Sequence, residues 1–208
     1  MKHLLLSALL LLLSMPLAFA GDAELYDPAP PADSAYVRFI NTGAKPINAL
    51  LGNLTYKQVE GFSPYQVIKE GEYDASVDKT KQSVTLKAGT SYSLIYTKQG
   101  KKGRIATVAD AANADPSKAV VYFYNLSDKE ASLRAPNFNT DILPGVPAGE
   151  SRSVEINAVT VDVAMNVENV DVKTFPGIEL KRRNGFSFLL TGKNPKYDGV
   201  WVMNSLAK

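Results

Sequence analysis

Polar and apolar residues trade places every second position over several short runs of this chain. Tyr73, Ala75 and Val77 alternate with Asp74, Ser76 and Asp78, and Val159, Val161, Val163 and Met165 alternate with Thr160, Asp162 and Ala164. A period of two sends successive side chains to opposite faces of a strand, so both runs read as half-buried strands. Short segments rich in Val, Ile, Tyr, Phe and Thr, closed by Gly, Pro, Asn and Lys, predict strands over 35–41, 47–51, 54–59, 65–69, 72–78, 82–87, 91–97 and 103–108. A second series follows over 118–125, 130–134, 138–143, 151–157, 159–166, 170–174, 177–182, 185–191 and 199–204. No stretch after residue 20 carries a convincing helical period. The predicted class is all-β.

Two of these segments occur twice. AYVRFIN at 35–41 returns as AVVYFYN at 119–125, an offset of 84, and LKAGTSYSLIYTKQG at 86–100 returns as LKRRNGFSFLLTGKN at 180–194, an offset of 94. Two matches in the same order predict a duplicated domain whose second copy gained ten residues between them. Residues 109–117, ADAANADPS, hold no large apolar side chain and read as a linker. The expectation is two tandem Ig-like β-sandwiches, at 35–108 and 118–208. Phe39 and Phe123 go to the two cores, while Asn41 and Asn125 end their strands and serve the turns.

Ahead of the repeats stands an export signal. Lys2 supplies its positive end, Leu4 to Leu13 its apolar run and Ala18-Phe19-Ala20 its cleavage site, so the mature chain is expected to begin at Gly21. Nothing further on approaches the ~20 apolar residues of a membrane-spanning helix. Residues 21–34 combine Asp22, Glu24, Asp27 and Asp33 with Pro28, Pro30 and Pro31 and read as an extended acidic arm. Leu25 and Tyr26 are its apolar anchors, available either to a partner's sheet edge or to an edge of the chain's own domain.

Composition then narrows the chemistry. The chain has no cysteine, and its one histidine, His3, lies in the signal. Ser-His-Asp and Cys-His catalysis and imidazole or thiolate metal sites are therefore excluded from the mature chain. Without the signal, 22 basic residues face 21 acidic ones, a balance that argues against nucleic acid as a partner. Asp74 with Asp78, and Asp198 with Asn194, lack the spacing of a calcium loop. No metal or cofactor is expected.

A few surface features remain as binding candidates. Lys98, Lys101, Lys102 and Arg104 crowd one turn, and Lys193 and Lys196 flank the equivalent turn of the second copy. Two such turns could draw in a polyuronate chain, though solvated hairpin ends are the ordinary explanation. Trp201, with Tyr197 four residues before it, is either an exposed aromatic contact or a core residue of the last strand, and burial is the preferred reading. Arg182-Arg183-Asn184-Gly185 predicts a two-residue hairpin turn with its arginines projecting.

The arm and first strand, LYDPAPPADSAYVRFIN at 25–41, the repeated V-x-F-x-N openings and the tandem layout after a signal together resemble the AlgF family, periplasmic proteins of alginate O-acetylation. The most family-like residues are Leu25, Tyr26, Pro28, Ser34, Ala35, Val37, Arg38 and Asn41. The resemblance implies a periplasmic role in transferring acetyl groups to a polymer, with O-acetyltransferase subunits as partners and the anionic polysaccharide as a further one. Serine transferases of such systems use a histidine that this chain lacks beyond His3. The expected role is a non-catalytic adaptor or scaffold. The alternative is a carbohydrate-binding or surface-adhesion protein of an exopolysaccharide system.

Overall fold

A computed structural model describes residues 30–207. The signal, most of the arm, and Leu25 and Tyr26 lie outside these residues. The first repeat holds β1 (Ser34–Asn41), β2 (Ile47–Leu51), β3 (Leu54–Val59), β4 (Gln66–Lys69), β5 (Gly71–Val77), β6 (Thr80–Leu86), β7 (Ser91–Gln99) and β8 (Lys102–Asp110). The second holds β9 (Lys118–Ser127), β10 (Ala131–Ala135), β11 (Thr140–Val146), β12 (Glu150–Asn157), β13 (Val159–Val167), β14 (Val170–Leu180), β15 (Gly185–Lys193) and β16 (Lys196–Met203). Each repeat is a sandwich of two four-stranded sheets. The orders are β4-β1-β7-β8 over β3-β2-β5-β6, and β12-β9-β15-β16 over β11-β10-β13-β14.

The duplication extends to single hydrogen bonds. β1 runs parallel to β7, and β9 to β15, with Arg38 opposite Ser93 and Tyr122 opposite Ser187. The Asn41 amide donates to the carbonyls of Lys45 and Val59 at 2.8 and 3.0 Å, and the Asn125 amide to those of Lys129 and Val146 at 2.7 and 2.8 Å. Both asparagines also accept a backbone N–H two residues on, from Gly43 and from Ser127. The turn role read from sequence is thus a fixed clamp at the end of each opening strand.

Phe39 sits in the first core with Val37, Leu94 and Tyr96, and Phe123 in the second with Val121, Phe188 and Leu190. The opposite faces of these same strands are buried too. Ile40, Ile95, Phe62, Tyr124 and Leu189 form a third apolar cluster joining the repeats. The β1–β7 sheet therefore lies on the β9–β15 sheet, and the two sandwiches stack four sheets deep. A strand covered on both faces loses its alternation and becomes a continuous apolar run. This is why AYVRFIN and AVVYFYN show no period of two, whereas β5, at the outside, does.

Three expectations change. Segments 170–174 and 177–182 are one strand, β14, because Pro176 and Gly177 form a bulge opposite Asp162; Gly177 takes φ +64° and its N–H donates to Asp162 Oδ1 at 2.7 Å. Asn184-Gly185 is no hairpin. β14 and β15 belong to different sheets, so residues 181–184 cross the sandwich, as Lys87-Ala88-Gly89-Thr90 does in the first repeat. Lastly, β8 continues to Asp110, inside the segment read as a linker, and residues 111–117 carry no strand.

Candidate functional site

The seam between the repeats is built around a charged side chain. β1 buries Val37 and Phe39 in its own sandwich, which turns Arg38 to the far face, where it is 1% exposed. Its guanidinium donates from Nε to Ser93 Oγ, from Nη1 to Asn204 Oδ1, and from Nη2 to Tyr124 Oη and Ser187 Oγ, all at 2.8 Å. The rings of Tyr65, Phe62 and Tyr124 surround it, with centroids 4.5, 4.8 and 5.5 Å from Cζ. Such contacts suit arginine, whose planar, weakly hydrated cation stacks on aromatic faces.

The counter-charge is Asp110, at the end of β8. It accepts from Ser93 Oγ at 2.7 Å, Tyr65 Oη at 2.8 Å and Tyr124 Oη at 2.5 Å. Arg38 and Asp110 are thus joined through shared hydroxyls, with Tyr124 and Ser187 supplied by the second repeat. Burial alone would depress the Arg38 pKa, but Tyr124, Tyr65 and Asp110 outweigh it and hold the group above its ordinary value. Burial pushes the Tyr65 and Tyr124 phenols far up, and the Tyr122 phenol up to about 12.

This cluster is a lock. Ser93 and Ser187 are fully buried, so no substrate reaches their oxygens, and every hydroxyl is engaged in holding the repeats together. The chain end closes the seam: Asn204 supplies an acceptor for Arg38, the Tyr65 N–H donates to the Ser205 carbonyl at 2.9 Å, and the Ala207 N–H donates back to the Tyr65 carbonyl at 2.7 Å. Gly61 takes φ +62°, and a Cβ there would stand 3.0 Å from Val200 of the second repeat.

Clefts along the seam show how the sheets face one another. Tyr36 and Ser91, at the starts of β1 and β7, share one cleft with Arg183, Asn184 and Gly185, at the start of β15. Thr42 and Ala44, past the end of β1, share another with Leu189 and Thr191, late in β15. β1 and β15 therefore run the same way, and the β7–β8 and β15–β16 hairpins project from the same end of the stack.

That end carries most of the residues singled out from sequence. Lys101 and Lys102 are exposed at the β7–β8 tip, and Lys193 and Lys196 at the β15–β16 tip. Among the described residues, none of these four lies within ion-pair distance of a carboxylate, whereas Lys98 stands 3.6 Å from Asp78. Tyr197 is half-buried and donates to Asp128 Oδ1 at 3.1 Å. Trp201 departs from the preferred burial: it stacks on Phe188 with centroids 6.2 Å apart but remains 37% exposed. Its place on the outermost strand leaves its other face without a neighbouring strand to cover it.

The sequence reading assigned no site role to Arg38, Ser93, Asp110, Tyr124, Ser187 or Asn204; Arg38 entered it only as a family-like position, and Ser93 and Ser187 only as part of the repeat. The available signal was Arg38 inside an otherwise apolar, doubly buried strand, together with the recurrence of Ser93 as Ser187.

The chain is similar to several known proteins. The family described as "Alginate O-acetyl transferase AlgF" matches residues 8–185. An alginate biosynthesis protein AlgF of Pseudomonas putida is 31% identical over 209 residues, covering 99% of this chain and 95% of the relative. Its counterpart in Pseudomonas syringae pv. tomato is 30% identical over 204 residues, covering 97% and 90%. Among solved structures, the C-terminal domain of AlgF from P. aeruginosa matches 42% of this chain and 99% of its own length, at 28% identity and TM-score 0.40. The N-terminal domain of that protein matches 40% and 100%, at 27% identity and TM-score 0.34.

Proposed function

The chain belongs to the AlgF family of alginate biosynthesis, and from that premise we propose that it is a non-catalytic periplasmic adaptor for alginate O-acetylation. The observation that carries this reading is the Arg38–Asp110 lock. It uses Ser93, Ser187, Tyr65, Tyr124 and Asp110 as joints between the repeats and seals them from solvent. Catalysis of acyl transfer needs the opposite, a nucleophile beside a base with room for a substrate.

A rigid pair of sandwiches suits a connector. Because the seam fixes one repeat against the other, surfaces on both face outward at constant separation, and two partners held on them stay in a set geometry. Preorganisation of that kind lowers the ordering cost of each binding step. Among the described residues no helix is long and apolar enough to cross a membrane. The acidic arm with Leu25 and Tyr26 is a further docking element in this reading.

Tagged full-length protein, purified from the periplasm of an alginate-producing host, should bring with it the O-acetyltransferase subunits of the pathway, identified by mass spectrometry. The purified protein alone should transfer no acetyl group from a chromogenic acetyl ester to oligouronate. Unaided transfer that disappears on changing a single serine or lysine would overturn the proposal, as would purification without any transferase subunit.

A further inference from the structure

The outermost strand of the second repeat is left open. β16 ends the β12-β9-β15-β16 sheet on one side. The Asn204 N–H donates to the Gly185 carbonyl at 2.8 Å, which turns the backbone groups of Val200 and Val202 toward β15 and those of Gly199, Trp201 and Met203 outward. The Gly199 N–H donates back to Asp198 Oδ1 at 2.8 Å. The outward N–H and C=O groups of Trp201 and Met203 make no hydrogen bond among the described residues. Val200, Trp201 and Met203 also expose their side chains. A run of apolar residues at consecutive positions belongs to a strand covered on both faces, and here it lies on a free edge.

Every other sheet edge among the described residues carries a feature that discourages the addition of a strand. β3 holds Lys57, β6 Lys81, β8 Lys102 and Arg104, and β12 Arg152, all exposed. β4 is four residues long, and bulges at Gly145 and Gly177 bend β11 and β14. The sister strand sharpens the contrast. Phe188 pairs with Trp201 and Phe186 with Met203, where the first repeat pairs Leu94 with Thr107 and Tyr92 with Ala109. The first sandwich closes without an aromatic residue or a methionine at these positions. Trp201 and Met203 are therefore additions to the edge, of residue types enriched at protein interfaces.

The edge is complementary to itself. When two copies meet antiparallel about Trp201, Gly199 stands opposite Met203 of the second copy, so a long side chain faces a position without one. Val200 then stands opposite Val202, and the two Trp201 rings meet at the two-fold axis. The charged ends cross as well. Asp198, held only loosely by Lys173 at 3.4 Å, comes opposite Asn204, which shares a cleft with Arg183. Arg183 is exposed and lies within ion-pair distance of no carboxylate among the described residues. We propose that the β16 edge pairs in this register with the β16 edge of a second copy of this chain, joining two four-stranded sheets into one. An interface of one strand and its side chains is small, so the dimer is weak and concentration-dependent. The proposal goes beyond the adaptor reading and does not rest on it.

The test is sedimentation velocity of the full chain after Ala20 from micromolar to submillimolar concentration, with Trp201 emission followed in parallel. The mass should rise toward that of two copies, and the emission should shift to the blue as the rings leave water. Trp201→Thr/Met203→Ala, which installs the residues of the first repeat, should weaken dimerisation at least about thirtyfold. Should that variant fail to fold, two exposed charges decide. Asp198→Arg and Arg183→Asp should each self-associate about three- to tenfold more weakly, and an equal mixture of the two should recover the wild-type affinity, because each supplies the charge that the other's edge now lacks. Lys101→Gln/Lys102→Gln, at the β7–β8 tip, should change nothing. A monomer throughout the range, a dimer undisturbed by Trp201→Thr/Met203→Ala, or a mixture that associates no more tightly than the separate charge variants would overturn the proposal.

Discussion

Replacing Arg38 by methionine keeps an unbranched side chain of similar length in the seam while removing its charge and donors. Ser187 Oγ still donates to Asn204 Oδ1, and Asp110 keeps its three hydroxyl donors. What disappears are four hydrogen bonds from a cation, its contacts with three rings, and the positive charge nearest to Asp110, which is only 8% exposed. A hydrogen bond to a charged group contributes about 1.5–3 kcal/mol, but the four are not additive, and the variant escapes the cost of burying a guanidinium. Breaking a buried charge pair by removing one partner costs about 3–5 kcal/mol. A loss of about 4 kcal/mol lowers the melting temperature by roughly 8–16 °C for a chain of this size. The assay exploits Trp201, the only tryptophan, stacked on Phe188 at the outer strand of the second sandwich. Urea unfolding followed by its fluorescence and by far-UV circular dichroism should coincide in the wild type, since the seam couples the repeats into one cooperative unit. In Arg38→Met the two curves should separate as the sandwiches unfold independently. Adding Asp110→Asn removes the orphaned charge and should recover part of the loss. Coincident, unshifted curves in the single variant would refute the lock.

Deletion from Asn204 onward removes the two backbone bonds to Tyr65 and one acceptor of Arg38; it should cost about 1–3 kcal/mol in urea unfolding, and an unchanged midpoint would show the closing strap to be idle. Gly61→Ala places a methyl 3.0 Å from Val200 on a backbone at φ +62°; it should destabilise by about 1–3 kcal/mol and split the two unfolding curves as Arg38→Met does. Raising the pH should weaken the fold. Burial holds the Tyr65 and Tyr124 phenols well above the ordinary 10 and the Tyr122 phenol up to about 12. The unfolded chain therefore releases these protons from about pH 10 while the folded chain keeps them. Their contribution to stability is complete below pH 10 and declines above it, by about 1.4 kcal/mol per pH unit per tyrosine; urea midpoints that stay level between about pH 8 and pH 11 would contradict this. Finally, cell fractionation with amino-terminal sequencing should find the protein in the periplasm beginning at Gly21, and a chain retaining Met1 would count against export.

Much of this protein follows from neighbours along the chain. The period of two in β5, the turn residues between strands, the doubled V-x-F-x-N opening and the turn role of Asn41 and Asn125 are local features, fixed by backbone geometry over a few positions, and they were readable in order; in β13 Val159 is instead exposed and Ala164 buried, and the clamps reach across to Val59 and Val146. The duplication followed from the same text, as did the want of a histidine or cysteine beyond His3. What tertiary structure alone decided is what covers the second face of the repeated strands. Arg38 meets Tyr124 and Ser187 across 86 and 149 residues of chain, and no spacing rule connects such positions. Each sandwich can bury one face of β1 or β9 by itself; the other face stays apolar until the second copy closes on it. A buried guanidinium then becomes tolerable, because only the assembled seam brings enough hydroxyls, rings and one carboxylate around it to replace water.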